Sequence, residues 1–173
     1  MGQVEWFSRK FDFSSEQNIF PSIIERLAGT PVRLEEKLRS LPQEALSVRI
    51  KDAWTIKENA GHLSDLEPLW QGRLDDILTG KKDLRPTDLQ NTKTSSANHD
   101  AVPTEELLGR FRTMRTETIK MLERLDDRQI FSSALHPRLK TPMRTMDLFL
   151  FVAEHDDHHL ARITELARLV GRK

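Results

Sequence analysis

The sequence predicts an all-α protein, a four-helix bundle, and two observations carry that prediction. Four segments of about 20 residues each place apolar side chains at every third or fourth position, the spacing of one helix face. The chain has only 7 Gly and 8 Pro in 173 residues, which suits long helices better than a turn-rich β fold. Its length predicts one domain over residues 1–173 with a substantial core.

The first predicted helix follows an aromatic segment. Residues 1–18 are expected to pack on the body of the protein, because they contain four aromatic side chains in an irregular pattern: Trp6, Phe7, Phe11 and Phe13. The helix itself has an apolar stripe from Phe20 to Leu41, and Pro42 closes it. Pro31 lies inside this pattern, so the helix should be kinked or split there.

The second helix is predicted to begin after Thr55. Thr55 and Glu58 have the spacing of a capping box, in which each side chain accepts a hydrogen bond from a free backbone N–H. Pro68 should bend this helix, and Gly80 is its predicted end. The polar residues 81–103 that follow are predicted to form a long connection.

The third and fourth helices complete the predicted bundle. The third begins after Pro103, with Glu105 and Glu106 near the positive end of its dipole. Residues 126–144 are predicted to be a loop, and the fourth helix should cover about residues 145–170.

Charge and composition exclude several classes of function. Lys+Arg and Asp+Glu balance at 27 each, so no basic excess could hold a phosphate backbone, and nucleic acid is not an expected partner. A helix needs about 20 apolar residues to span a bilayer, and no apolar run approaches that length, so no membrane partner is expected. The chain begins without an apolar signal segment, which predicts a cytoplasmic location. Without cysteine, disulfides, thiolate ligands and a cysteine nucleophile are excluded.

The most informative residues lie in the fourth helix, in the run His155-Asp156-Asp157-His158-His159. Two of its histidines, at 155 and 159, are four residues apart, which puts both imidazoles on one helix face, where they could share a metal ion. Both fall on the stripe of core aliphatic residues, whereas His158 falls on a stripe that should face solvent. Burying an imidazole without a partner costs about 1–3 kcal/mol, so this placement makes metal binding as strong an interpretation as a chance HxxxH spacing.

Two histidines alone would leave a metal under-ligated. A third protein ligand would complete the usual catalytic set and leave one position open. His99 lies in the polar connection and His136 in a loop beside proline, so His62 in the second helix is the remaining helical candidate. If the second and fourth helices face each other, His62, His155 and His159 converge. The alternative is that His62 is a hydrogen-bonded core residue.

Three segments of the chain resemble the DinB/YfiT-like superfamily. Residues 54–67, WTIKENAGHLSDLE, resemble its W-[ST]-x-x-[ED]…GHLxDxE segment. Residues 151–163, FVAEHDDHHLARI, resemble its last helix with an HxxHH-type signature, and residues 6–13, WFSRKFDF, resemble the opening of one branch. The similarity covers nearly the whole chain in order and spacing.

The resemblance implies a four-helix bundle with a divalent metal, zinc or nickel, and often a homodimer. It assigns the metal ligands to His62, His155 and His159 and leaves His158 out. Characterised relatives include thiol-dependent enzymes, such as mycothiol-dependent maleylpyruvate isomerase and bacillithiol S-transferases, and the resemblance implies no DNA binding. Pro68 departs from the pattern expected in this family.

Most of the other notable polar residues have two possible interpretations. Asp156 lies on an inward stripe, and a structural pair with an arginine across helices is expected ahead of support for a ligand histidine. Glu67 could form an inter-helix salt bridge or support a ligand, and Glu58 is expected to be only a cap. Arg73 and Arg115 could bind an acidic substrate, but in so charged a chain we expect them at the surface.

The leading functional hypothesis is a metal-dependent enzyme that acts on a small-molecule substrate. The metal would lower the pKa of a bound water for hydrolysis, or of a thiol for S-transfer or isomerisation. Because the chain has no cysteine, any low-molecular-weight thiol must come from outside. The alternative is a non-catalytic metal- or ligand-binding bundle of a stress response, which a fourth protein ligand closing the site would favour.

Overall fold

A computed structural model describes residues 3–171. Residues 1–2 and 172–173 lie outside the described residues. They are the two ends of the domain predicted over 1–173, and residues 1–2 also begin the N-terminal segment predicted over 1–18. The elements in chain order are α1 Phe20–Arg39, α2 Ile56–Leu78, α3 Thr92–Ser96, α4 Thr104–Leu122, α5 Asp127–Phe131, β1 Ser133–Leu135, β2 Pro142–Arg144 and α6 Thr145–Val170.

The four long helices α1, α2, α4 and α6 form a four-helix bundle, which confirms the predicted fold class. Helices α4 and α6 each pack against both α1 and α2. Helices α1 and α2 therefore lie diagonally across the bundle, although they are successive long helices in the chain. The packing of α2 on α6 sets the helix that carries His62 against the helix that carries the other two candidate ligands, as predicted.

The local sequence signals agree with the helices except at Pro31. The capping box at the start of α2 is present: Thr55 Oγ1 accepts from the Glu58 N–H at 3.0 Å, and Glu58 accepts from the Thr55 N–H at 2.8 Å. Helix α1 continues through Pro31, so of the two predicted outcomes, a kink or a split, the split does not occur. Its apolar residues on both sides of Pro31 are buried, and this packing outweighs the one backbone hydrogen bond that proline cannot donate.

The two connections hold more structure than predicted. The first contains α3, and the second contains α5 and the antiparallel hairpin of β1 and β2. Helix α5 begins with a capping box between Asp126 and Gln129. The N-terminal segment packs on the bundle as predicted, with the Trp6 ring centroid 4.9 Å from that of Phe151, although Phe7 is 60% exposed. Between residues 3 and 171, no helix has the length and apolar character needed to cross a membrane.

A buried polar layer separates two apolar clusters along the bundle. Every long helix contributes to it: Thr30, Glu67, Arg115, Thr118 and Asp156. Arg115 donates to Asp156 Oδ2 at 2.5 Å and to Glu67 Oε1 at 2.8 Å, and Thr30 Oγ1 donates to Asp156 Oδ2 at 2.9 Å. The expected pairing of Asp156 with an arginine across helices is confirmed, and Glu67 forms an inter-helix salt bridge.

The same layer corrects the expectation that Arg115 lies at the surface, because its side chain is only 1% exposed. Burial alone would lower the pKa of this guanidinium, but the carboxylates of Asp156 and Glu67 outweigh burial and raise it. Arg115 is therefore a fixed positive charge that holds three helices together.

Candidate metal centre

The structure brings His62, His155 and His159 together, as the family resemblance predicted, and the helix spacing predicted the inward placement of the last two. One ring nitrogen of each lies within 4.8 Å of the others, and all three side chains are buried. The ring centroid of His62 is 5.3 Å from that of His155 and 4.8 Å from that of His159. That these nitrogens bind a metal remains a prediction.

The ring of His159 is oriented by Asn59, a residue one turn before His62 on α2. The Asn59 side-chain nitrogen donates to the Thr55 carbonyl oxygen at 2.8 Å, which leaves Asn59 Oδ1 facing Nδ1 of His159 at 2.9 Å. Nδ1 must therefore carry the proton of the neutral ring, and Nε2 keeps its lone pair. This Nε2 lies 3.2 Å from Nε2 of His155.

His62 is oriented in the same way by a chain of three polar side chains. Thr94 Oγ1 donates to Asp65 Oδ2 at 2.8 Å and lies 2.9 Å from His62 Nδ1, whose proton it accepts. His99 Nε2 donates to the same carboxylate oxygen at 2.9 Å. The carboxylate thus fixes the Nδ1–H tautomer of His62 through Thr94, and Nε2 is left free for a metal.

Gly61 allows this chain to reach α2. A Cβ at position 61 would overlap the ring of His99, so only glycine lets that ring pack directly on the helix backbone. Thr94 and His99 come from the connection that was expected to be a simple polar loop. Their role was missed because a non-periodic segment carries no sequence signal for its tertiary contacts.

The three imidazoles are held neutral. Burial lowers the pKa of His62 to about 4, partly opposed by Asp65, and lowers the pKa values of His155 and His159 well below the usual range, with neighbouring imidazoles adding to the shift. Nδ1 of His155 is buried and has no hydrogen-bond partner among the residues that the structure describes. Neutral imidazoles with converging nitrogens fit a divalent ion such as zinc or nickel.

The cluster opens into a cavity of about 510 Å³. Aromatic rings form much of its wall, including Trp54, whose centroid is 4.8 Å from that of His62, and Trp70, at 5.8 Å from His155. This volume suits a small molecule. Within residues 3–171, no fourth histidine or carboxylate joins the three histidines, so an ion there would keep a position open toward the cavity.

His158 does not face solvent, and that expectation is wrong. Its ring is half-buried, 5.6 Å from the centroid of Trp6 and 5.2 Å from that of His159, and it lines the cavity. The N-terminal segment covers this side of α6, and Gln3 donates to the His158 carbonyl oxygen at 3.2 Å. The helix phase alone could not reveal a covering segment from the other end of the chain.

We expect His158→Ala to leave the metal content of the purified protein unchanged. His158 lies beside the three-histidine group but outside it, so its removal takes away no predicted ligand. Elemental analysis of the untagged variant, compared with His155→Ala and His159→Ala, checks this. Equal metal loss in all three variants would contradict the ligand assignment.

We expect Thr94→Val to weaken metal binding about 10- to 100-fold, the usual effect of removing a partner that orients a ligand histidine. Valine preserves the shape of the side chain but leaves Nδ1 of His62 without an acceptor. Thr94→Ser keeps the hydroxyl and should bind metal nearly as well as the wild type. Titration with a competing chelator measures both, and equal affinity in the valine and serine variants would show that the hydroxyl does not matter.

Comparison with known families identifies the class of protein that this fold and site define. The sequence profile of the DinB superfamily matches residues 26–163, and the chain belongs to that superfamily. A relative from Bacillus subtilis (strain 168), named "Putative metal-dependent hydrolase YfiT", is 26% identical over 156 residues, which cover 86% of this chain and 84% of the relative. The family predicted from the sequence motifs is confirmed.

Two solved structures share the fold. YfiT from Bacillus subtilis, described as a probable metal-dependent hydrolase with an unusual four-helix bundle topology, superposes with a TM-score of 0.80 at 23% identity over 94% of each chain. The colibactin self-resistance protein ClbS, solved in complex with a dsDNA, gives a TM-score of 0.68 at 14% identity over 89% of this chain and 98% of its own. These likenesses support the four-helix bundle.

Proposed function

We propose that this protein is a metal-dependent hydrolase of a small molecule, with a divalent ion held by His62, His155 and His159. The observation that carries the proposal is the convergence of three neutral imidazoles on an open cavity, with no fourth protein ligand among residues 3–171. The name of the Bacillus subtilis relative supports hydrolysis as the reaction. The open position disfavours a purely structural metal, which would have a closed set of ligands.

The side chains of the protein have defined tasks in this proposal. When bound, a divalent ion supplies Lewis acidity, which stabilises the negative charge that develops during attack on a substrate. Asn59 and Thr94 hold the ligand rings in the required tautomer, and Asp65 anchors Thr94. The aromatic wall of the cavity offers a substrate an apolar surface to pack against.

The finer predictions extend this proposal. Zinc or nickel as the ion, a low-molecular-weight thiol as co-substrate, a homodimer and a cytoplasmic location all remain predictions, as does a single domain over residues 1–173. The exclusion of nucleic acid also remains a prediction, because ClbS is 14% identical and its likeness carries the fold alone. The balanced charge of this chain supports a small-molecule substrate over DNA.

The function is tested with untagged protein loaded with zinc or nickel and screened against small esters and amides, with and without added thiols. Metal-dependent product release without a thiol, lost in His155→Ala, is the expected result. Product formation only with a thiol would replace hydrolysis by S-transfer or isomerisation. Tight metal binding without turnover of any compound would favour the non-catalytic bundle.

A further inference from the structure

Arg73 of α2 lies in the wall of the same cavity and is buried, with no ion-pair partner among the residues that the structure describes. Its side chain is 1% exposed, so the expectation that it lies at the surface is wrong. Its Nε donates to the Arg85 carbonyl oxygen at 3.1 Å, but Nη2 is buried and has no hydrogen-bond partner in the described part of the chain. A buried charge without a partner is costly, so the arrangement requires an explanation.

The nearby carboxylate of Asp76 on α2 is not paired with Arg73. Asp76 lies one turn further on, and both of its oxygens are occupied. Oδ1 accepts from Lys81 and from Arg85, each at 2.8 Å, and Oδ2 accepts from the Arg85 side chain at 2.9 Å and its backbone N–H at 2.8 Å. Burial, partly opposed by the charge of Asp76, lowers the pKa of Arg73 to about 10, so the guanidinium keeps its charge at neutral pH.

His136, from the hairpin, presents a second donor beside Arg73. Its Nδ1 accepts hydrogen bonds from the backbone N–H groups of Arg138 at 3.2 Å and Leu139 at 3.1 Å, so the neutral ring must carry its proton on Nε2. Burial, together with the positive charge of Arg73 and Arg138, lowers the pKa of His136 to about 4 and keeps the ring neutral. Nε2 lies 3.2 Å from Nη1 of Arg73.

Nη1 of Arg73 and Nε2 of His136 are thus both proton donors. They lie at hydrogen-bonding distance, and neither can accept a hydrogen bond from the other. An oxygen of a carboxylate or phosphate group near both would accept from each and would neutralise the buried charge. The half-buried Arg138, which also lines the cavity, adds positive charge on the same side.

We propose that Arg73 and His136 form a subsite for an oxyanion group, carboxylate or phosphate, of the small molecule that the three-histidine centre acts on. The indole of Trp70 connects the two sites: its centroid is 5.5 Å from Arg73 Cζ and 5.8 Å from the ring of His155. The substrate is then a small molecule with an anionic group at one end and the reacting bond at the other. Only the link to the substrate rests on the proposed function; anion binding by Arg73 and His136 does not.

The subsite is tested by titrating metal-free, 15N-labelled protein with inorganic phosphate and, separately, with benzoate, while following the indole N–H signal of Trp70. Saturable binding of at least one anion is expected, and the stronger of the two identifies the oxyanion class. Arg73→Met should weaken binding at least tenfold. His136→Asn, which keeps an acceptor for the backbone N–H groups but lacks the Nε2 donor, should also weaken it.

Arg162→Met is the matched control, because Arg162 lines the same cavity but is already paired with Glu165 at 2.5 Å. It should change the affinity for the anion less than threefold. Arg73→Met should also keep or raise the melting temperature, because it removes an unpaired buried charge, whereas a purely structural arginine would lower it. The proposal is overturned if the wild type shows no saturable binding, or if Arg73→Met binds the anion as tightly as Arg162→Met does.

Because the titration uses metal-free protein, its result is separate from the metal-dependent function. Anion binding that depends on Arg73, in a protein that fails to hold a metal, would retain the subsite and remove the hydrolase proposal. A metal-loaded, active protein whose Trp70 signal never responds to either anion would retain the hydrolase proposal and remove the subsite.

Discussion

Replacing His62 with alanine is expected to remove most of the metal affinity and, with it, the part of the stability that depends on metal. The residue lies on α2, whereas His155 and His159 lie on α6, so only the packing of these helices brings the three nitrogens within 4.8 Å. An ion that binds only the folded chain stabilises it by about 3–4 kcal/mol at 100 to 1,000 times Kd. Loss of a ligand should remove most of that stabilisation.

Melting curves with and without a chelator measure this effect. Chelator should lower the melting temperature of the wild type and leave that of His62→Ala almost unchanged. His155→Ala should behave like His62→Ala, whereas His158→Ala should respond like the wild type. Equal chelator shifts in the wild type and in His62→Ala would show that His62 is not a ligand.

Arg115→Ala is expected to destabilise the fold by about 3–5 kcal/mol, the usual cost of breaking a buried ion pair by removing one partner. The carboxylates of Glu67 and Asp156 would remain buried between the two apolar clusters without their shared cation. Unfolding in urea, followed by circular dichroism, measures the loss as a lower midpoint.

Arg112→Ala on the same helix is the matched control. Arg112 is about half exposed and pairs with Glu35 at the surface, so its removal should cost about 0–1 kcal/mol. Replacing Glu67 with Gln and Asp156 with Asn in the Arg115→Ala background should recover part of the loss, because it removes the unpaired charges. If Arg115→Ala and Arg112→Ala unfold at the same urea concentration, the buried layer contributes little to stability.

The fold could be predicted from the sequence because its strongest signals are local. Apolar spacing located all four long helices, and the Thr55 and Glu58 pair marked the start of α2. The capping box of Asp126 and Gln129 was an equally readable signal for α5, but a five-residue helix has too few turns to show an apolar stripe.

The three converging histidines could also be predicted, because helix phase selects His155 and His159 and the family motifs select the same two together with His62. Their supporting residues could not, since Thr94 and His99 lie in a connection whose path depends on the tertiary fold. The burial of Arg73 and Arg115 was missed for a related reason. A charged side chain on a helix is placed inside only when a partner or ligand from another element compensates it, and the sequence of one helix does not show that partner.

Elemental analysis of the untagged wild-type protein and its His62→Ala variant shows whether the three histidines hold a metal ion. Both proteins are first reconstituted with zinc or nickel and freed of excess ion. The absence of a tag matters because its histidines would bind metal themselves. We expect about one divalent ion per wild-type chain, the capacity of a single three-histidine site, and almost none in the variant. Equal metal content in the two proteins, or a folded wild type that retains no ion, would contradict it.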